Sequence, residues 1–200
     1  MLAELKDVVR ALENDQLVPY FQPIVEVRTG LVKGFEVLAR WLHPLHGPIL
    51  PSNLILLAEE NGLIDVLTRQ VMRRALQVTS SLPPSMTLSL NVSPTQLHSF
   101  SLPSEIRGLA EEASFPMDGL IVEITESALL TDLERAKKIA GSLKDMGCKL
   151  ALDDFGTGYS SLGHLQGLPF DQLKIDRSFV SEMSANRHSR KIVAAIVGLA

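Results

Sequence analysis

The spacing of hydrophobic and polar positions changes rhythm along this chain. Leu2, Leu5, Val8, Val9 and Leu12 recur at helical spacing, which predicts a leading amphipathic helix within residues 1–16, ended by Asn14-Asp15. Tyr20–Val27 (YFQPIVEV) reads as a strand broken by Pro23, Arg28-Thr29-Gly30 as a turn, and Leu31–Ala39 (LVKGFEVLA) as a second strand. Three turn residues are too few for a crossover, so the two strands are expected to be antiparallel neighbours. His43–Pro51, rich in Pro and Gly, reads as a loop. Ser52 is placed to cap a helix running to Glu60 and stopped by Asn61-Gly62. Leu63–Val78 keeps helical periodicity through Leu67, Val71 and Ala75.

An alternation of strand and helix follows. Thr87–Leu90 reads as a strand closing at Asn91, and Pro103 sits where the first turn of a helix through Ile106, Leu109 and Ala110 would begin. Leu120–Ile124 reads as a strand. Thr131 and Glu134 have capping-box spacing before a helix through Leu133, Ala136, Ile139 and Leu143 to Gly147. Leu150-Ala151-Leu152 is an apolar run that ends in Asp153-Asp154 and a loop with Gly156 and Gly158. A short helix near Leu162–Leu165, a strand over Phe170–Ile175 and a last helix through Ile192, Val193, Ile196 and Leu199, capped by Ser189, complete the pattern.

Strand and helix in alternation mean parallel strands with helical crossovers, hence an α/β fold. Polar, chemically loaded residues end at least five of these strands. A closed barrel brings such ends to one mouth, whereas an open sheet spreads them along a line. The expected architecture is therefore a modified TIM (β/α)8-like barrel with an antiparallel first strand. Its last strand–helix units are expected to be missing from this chain.

Composition narrows the function. With 46% hydrophobic and 21% charged residues, the 200 residues suit one globular domain spanning 1–200. A net charge of -4 argues against polymeric nucleic acid as the main partner, because neutralising phosphates needs a basic face. It leaves room for a small anionic ligand held through metal ions. The single cysteine, Cys148, cannot form an internal disulfide and fits a reducing compartment. No apolar run has transmembrane length, and MLAELKDVVR carries charges where a signal peptide would be apolar, so a cytoplasmic location is expected.

The candidate chemistry lies at strand ends. Glu36, Asn91, Glu123, Glu126, Asp153, Asp154, Lys174 and Asp176 are polar groups at or near the ends of apolar strands. Asp153 and Asp154 repel each other by roughly 4 kcal/mol if ~4 Å apart at an effective dielectric of ~20, so a positive group is expected beside them. Oxygen ligands without cysteine or histidine suit Mg²⁺ or Mn²⁺ better than Zn²⁺. Glu36, Glu123, Asp153 and Asp154 together could hold two such ions, and a two-ion clamp is suited to in-line attack on a phosphodiester. Arg40 matches phosphate geometry, and Lys174 could hold an attacking water or lower its pKa.

Some signals carry the plainer reading. Asp154-Phe155-Gly156 spells a kinase metal motif, but the His-Arg-Asp loop of a kinase is absent from the sequence. His43 and His46 read as part of a solvated loop, as do His98, His164 and His188 in their own surroundings, and Cys148 as a small core residue. For Trp41, packing beneath the mouth and contact with a base are both open.

FQPI at Phe21–Ile24, EVLARW at Glu36–Trp41, NVS at Asn91–Ser93, EITES at Glu123–Ser127, DDFGTGYSSL at Asp153–Leu162 and KIDRSFV at Lys174–Val180 resemble the EAL domain family in order and spacing. The signature Glu-Ala-Leu reads Glu36-Val37-Leu38 here. The resemblance runs from about Val18 onward and implies a modified TIM barrel that hydrolyses cyclic di-GMP to linear pGpG. A non-hydrolytic cyclic di-GMP receptor is the alternative.

By resemblance, Glu36, Asn91, Glu123, Asp153 and Asp154 match the metal ligands, for two Mg²⁺ or Mn²⁺ ions. Lys174 matches the lysine beside the catalytic water, and Glu126 the glutamate that holds the loop after the paired aspartates. Gln22, Leu38 and Arg40 match positions lining the substrate. The family pattern continues past residue 200 with a Gly-Val-Glu strand that assists the water and metals, then a Gln-Gly stretch. The implied partners are cyclic di-GMP, a second copy in a homodimer, and regulatory domains in a longer parent protein.

Overall fold

The computed structural model of this chain describes residues 4–49, 52–79, 82–83, 85–156 and 167–198. The expected short helix near Leu162–Leu165, Gly158 and His164 lie outside the described residues. The strands are β1 (Leu17–Val25), β2 (Val32–His43), β3 (Gly47–Ile49), β4 (Thr87–Val92), β5 (Leu120–Thr125), β6 (Lys149–Phe155) and β7 (Gln172–Ile175). The helices are α1 (Leu5–Glu13), α2 (Ser52–Glu60), α3 (Ile64–Thr79), α4 (Leu102–Glu112), α5 (Glu126–Thr131), α6 (Leu133–Asp145), α7 (Arg177–Glu182) and α8 (Arg187–Val197).

The sheet order is β1-β2-β4-β5-β6-β7, with β3 paired to the far end of β2. β1 and β2 are antiparallel, as expected, and every later pair along that path is parallel. β1 runs unbroken through Pro19 and Pro23, although Pro23 reads as an interruption in the sequence. Among the described residues β1 pairs with β2 alone, and an edge strand tolerates residues without an N–H.

Residue alternation sorts the two faces of the sheet. Val37, Leu88, Leu90, Val92, Leu120, Val122, Ile124, Leu150 and Leu152 join one hydrophobic core with the helices. Two residues of period set the intervening positions on the opposite face: Glu36, Ser89, Asn91, Ile121, Glu123, Thr125, Ala151 and Asp153. Ile121 and Ala151 are fully buried yet stand apart from that core, as side chains pointing into a barrel would.

Curvature follows from one ion pair. β2 and β7 are four strand spacings apart, about 19 Å in a flat sheet, and a Glu and a Lys side chain together span about 10 Å. Lys174 on β7 nevertheless lies 3.2 Å from Glu36 on β2. The sheet is therefore curled, with Glu36 and Lys174 meeting across its concave side. This is the modified TIM-barrel architecture expected from the sequence.

Several local expectations need correction. The Pro- and Gly-containing stretch after His43 is a hairpin, with Gly47–Ile49 folded back on Trp41–His43. Gly47 takes a positive φ of 68° at that turn, where a side chain would be strained. Thr131 does not cap α6: it ends α5, and Asp132 accepts the Arg135 N–H instead. Ser189 does not cap α8 either. Asn186 accepts the N–H groups of His188 and Ser189, while the buried Ser189 hydroxyl reaches Glu182. Among the described residues, no helix is long and apolar enough to cross a membrane.

Candidate active site

Five strands deliver one cluster. Glu36 comes from β2, Asn91 from β4, Glu123 from β5, Asp153 from β6 and Lys174 from β7. One carboxylate oxygen from each of Glu36, Glu123 and Asp153 lies within 4.8 Å of the other two. Lys174 Nζ reaches all three acids, at 2.5 Å from Glu123 Oε2, 3.1 Å from Asp153 Oδ2 and 3.2 Å from Glu36 Oε2. The positive group that the paired aspartates call for is thus this lysine. Asn91 Nδ2 donates to Glu36 Oε1 at 3.1 Å. The other end of that amide, Oδ1, can only accept or ligate.

Electrostatics sets the cluster apart from an ordinary ion pair. Glu123 is 2% exposed, and burial pushes its carboxyl up to about 7 against the opposing pull of Lys174, with Glu36 and Asp153 adding repulsion. Burial works against the Lys174 charge as well. Its hydrogen bond to Glu123 and the three surrounding carboxylates outweigh that and raise its pKa. One ammonium set against three carboxylates leaves up to two negative charges, the complement of a divalent cation. Carboxylate and amide oxygens are the hard donors that Mg²⁺ and Mn²⁺ take, so the residues present fit such an ion.

Asp154 stands outside the group of three. Its backbone turns to a φ of 55°, its N–H donates to Asp153 Oδ1 at 2.9 Å, and its carboxyl lies close to that of Asp176. Burial raises its pKa, and the nearby Asp153 and Asp176 carboxyls add to the rise. Glu126, buried at the start of α5, accepts the Gly156 N–H at 3.0 Å. Gly156 has a φ of 102°, and a Cβ there would sit 3.1 Å from the Phe179 ring, so this loop position requires glycine.

A cavity of about 430 Å³ opens beside the acids, lined by Glu36, Leu38, Arg40, Ile55, Met72 and Asn91 among others. That size is usual for a small-molecule site. Leu38 and Arg40 are therefore wall residues and not members of the acid cluster. The Arg40 guanidinium lies 5.7 Å from the Tyr20 ring centroid. Gln22 is exposed and directly opposite Glu36 in the β1–β2 register, so the two share a face.

Other residues have plainer places. Trp41 is 3% exposed with its Nε1–H on Gln16, which makes it a packing residue. His43 and His46 stack on each other at the β2–β3 hairpin, 4.7 Å between ring centres. Burial raises the Cys148 thiol to about 11, so it is an inert core group. Sequence reasoning missed Glu59, Ser93 and Gln96, which form a hydrogen-bonded set beside Asn91. The signal was present: Ser93, Pro94 and Gln96 have the composition of a capped turn.

Comparison with known proteins agrees with this geometry. The EAL domain family matches residues 5–200. The cyclic di-GMP phosphodiesterase RocR of Pseudomonas aeruginosa is 38% identical over 202 residues, covering 100% of this chain and 52% of RocR. The cyclic di-GMP phosphodiesterase PdeL of Escherichia coli is 38% identical over 194 residues, 95% of this chain and 54% of PdeL. A solved structure described as the PaMucR phosphodiesterase in complex with c-di-GMP superposes with a TM-score of 0.92 at 37% identity, covering 98% of this chain and 81% of that one. The chain spans about a quarter to about half of the length of the curated relatives it matches. With the family pattern covering nearly every residue and its strand-end acids gathered at one mouth, the chain belongs to the EAL domain family.

Proposed function

We propose that this chain is a metal-dependent phosphodiesterase domain that hydrolyses cyclic di-GMP to linear pGpG. The observation that carries the reading is the convergence of Glu36, Glu123 and Asp153, from three separate strands, on Lys174. Relatives named cyclic di-GMP phosphodiesterases, of which RocR is 38% identical, supply the substrate.

In this reading Glu36, Asn91, Glu123, Asp153 and Asp154 hold two Mg²⁺ or Mn²⁺ ions. When bound, such ions polarise the phosphoryl oxygens and make water a nucleophile at neutral pH. Lys174 positions the attacking water through its ammonium, which stays protonated because three acids surround it. Arg40 offers a fork to a phosphate, and Leu38 and Gln22 form the substrate wall. Water adds to phosphorus, one P–O3′ bond breaks, and the departing 3′ oxygen takes up a proton. Glu126 holds the loop after Asp154 by accepting from Gly156.

The domain is proposed to span residues 1–200, led by α1, to dimerise with a second copy, and to act in the cytoplasm under regulatory domains of a longer parent. Relatives of which it covers only 25% to 54% support the last point. The test is chromatography of cyclic di-GMP incubated with purified protein and Mg²⁺ or Mn²⁺. Accumulating pGpG supports the reading. Intact cyclic di-GMP, beside an EAL enzyme that cleaves it, refutes hydrolysis, and tight binding measured alongside would assign a receptor instead.

A further inference from the structure

Beyond Leu90 the ladder between β2 and β4 stops. The last pair is Val37 with Leu90, while Asn91 and Val92 pair only with β5. The cavity opens past that point, so Asn91 has no backbone pairing to β2, although its side chain reaches back to Glu36 within the ladder. Something else must fix the end of β4 on that side.

Side chains from α2 and α3 do so. Ser93 Oγ, two residues past Asn91, donates to Glu59 Oε1 on α2 at 2.6 Å. Gln96 is 4% exposed and its amide is used at both ends. Its Oε1 accepts from Ser93 N–H at 3.2 Å and from Thr68 Oγ1 at 3.1 Å, and its Nε2 donates to Asp65 Oδ1 at 2.9 Å. The amide cannot be turned round. A backbone N–H only donates and a carboxylate only accepts, so the orientation is dictated by its partners. Asp65 and Thr68 are one turn apart on α3, a long rigid element.

We infer that Glu59 and Gln96 are positioning residues that clamp the turn after β4 to α2 and α3 and thereby hold Asn91 on Glu36. The inference rests on the metal-dependent reading only for its functional consequence; the clamp itself is a statement about Asn91. Neither residue touches the acid cluster. Their effect passes through Ser93 to Asn91 Nδ2, which in turn orients the Glu36 carboxylate. Groups that orient metal ligands in this indirect way change metal affinity by about 10–100-fold when removed.

Two readouts test it on the whole chain. In metal-free protein, selectively labelled on asparagine side chains, Gln96→Leu should move the Asn91 side-chain amide signals, while Glu59→Gln, which keeps an acceptor for Ser93, leaves them in place. In calorimetric titrations with Mn²⁺ alone, Gln96→Leu and Glu59→Leu should weaken binding about tenfold. Glu59→Gln should stay within about twofold of the parent, well short of that indirect-shell range. If Gln96→Leu does not fold, Glu59→Leu against Glu59→Gln carries the comparison. Unchanged Asn91 signals together with parental Mn²⁺ affinity in both leucine variants overturn the clamp, even if thermal stability falls. A parent chain that binds no Mn²⁺ overturns the metal reading instead, and the Asn91 signals then decide the clamp alone.

Discussion

Lys174 Nζ lies 3.2 Å from Glu36 Oε2, although four strand spacings separate their strands. The lysine therefore joins the two flanks of the curled sheet as well as neutralising part of the acid cluster. Lys174→Met should cost turnover and also stability, because it leaves buried carboxylates without their cation. Breaking such a buried pair costs about 3–5 kcal/mol. Urea denaturation of metal-free protein should show the larger loss at pH 8, above the Glu123 value of about 7, and a smaller one at pH 5, where Glu123 is protonated. Equal losses at both pH values would contradict the ion-pair account.

Glu36 sits within β2 and is a ligand in the proposed mechanism, not a core residue. Glu36→Ala should lower turnover by at least about 100-fold, the upper end of what even indirect changes near a metal cost, while thermal unfolding shifts little. Activity at the parental level in that variant would remove Glu36 from the site.

Glu123 gives metal-free protein a distinctive pH dependence. Its folded pKa is raised to about 7, above the ordinary glutamate value of 4.5. The folded state therefore binds its proton more tightly than the unfolded state does. The resulting stability is fully present below the ordinary value and is lost as pH rises through about 7. Denaturation midpoints should fall across that window in the parent chain, and Glu123→Gln should flatten the fall. A parent chain whose stability rises there would contradict the assignment.

Asp171 works in the opposite direction and away from the site. Burial would raise its pKa, but the Lys144 ion pair and the Leu150 N–H outweigh burial and lower it. Its contribution is present above the unfolded-state value and is lost as pH falls through the folded one. Asp171→Asn should weaken the start of β6 by about 1 kcal/mol at neutral pH, the upper end for a solvent-screened ion pair, with little difference in acid. Parallel pH-stability curves for the two proteins would count against this.

The features that were legible in the sequence share a physical cause. Acids interrupt a period-two apolar pattern, so Glu36, Glu123 and Asp153 were visible as candidates before their convergence was, although Glu36 sits within β2 and not at its end. The antiparallel first hairpin was legible because Arg28-Thr29-Gly30 leaves no length for a crossover. The rest depended on tertiary context. α5 and α7, with six residues each, are too short for helical periodicity to declare itself. β3 hides in a Pro- and Gly-containing stretch because its partner, the end of β2, is supplied by the hairpin itself. Capping by Asp132 and Asn186 in place of Thr131 and Ser189 shows that several capping residues near a boundary compete, and the geometry of the preceding element decides. The Gln96 amide was invisible because its partners lie on α3, 28 and 31 positions away.

In the proposed mechanism Glu36, Glu123 and Asp153 together bind divalent cations at the barrel mouth. Crystals grown with Mn²⁺ and measured for manganese anomalous scattering test it most directly. A manganese peak is expected within about 2.1–2.3 Å of an oxygen from each of the three carboxylates, the range between Mg²⁺ and Ca²⁺ distances to oxygen. Bound manganese elsewhere, with these three acids still gathered only around Lys174, would contradict it.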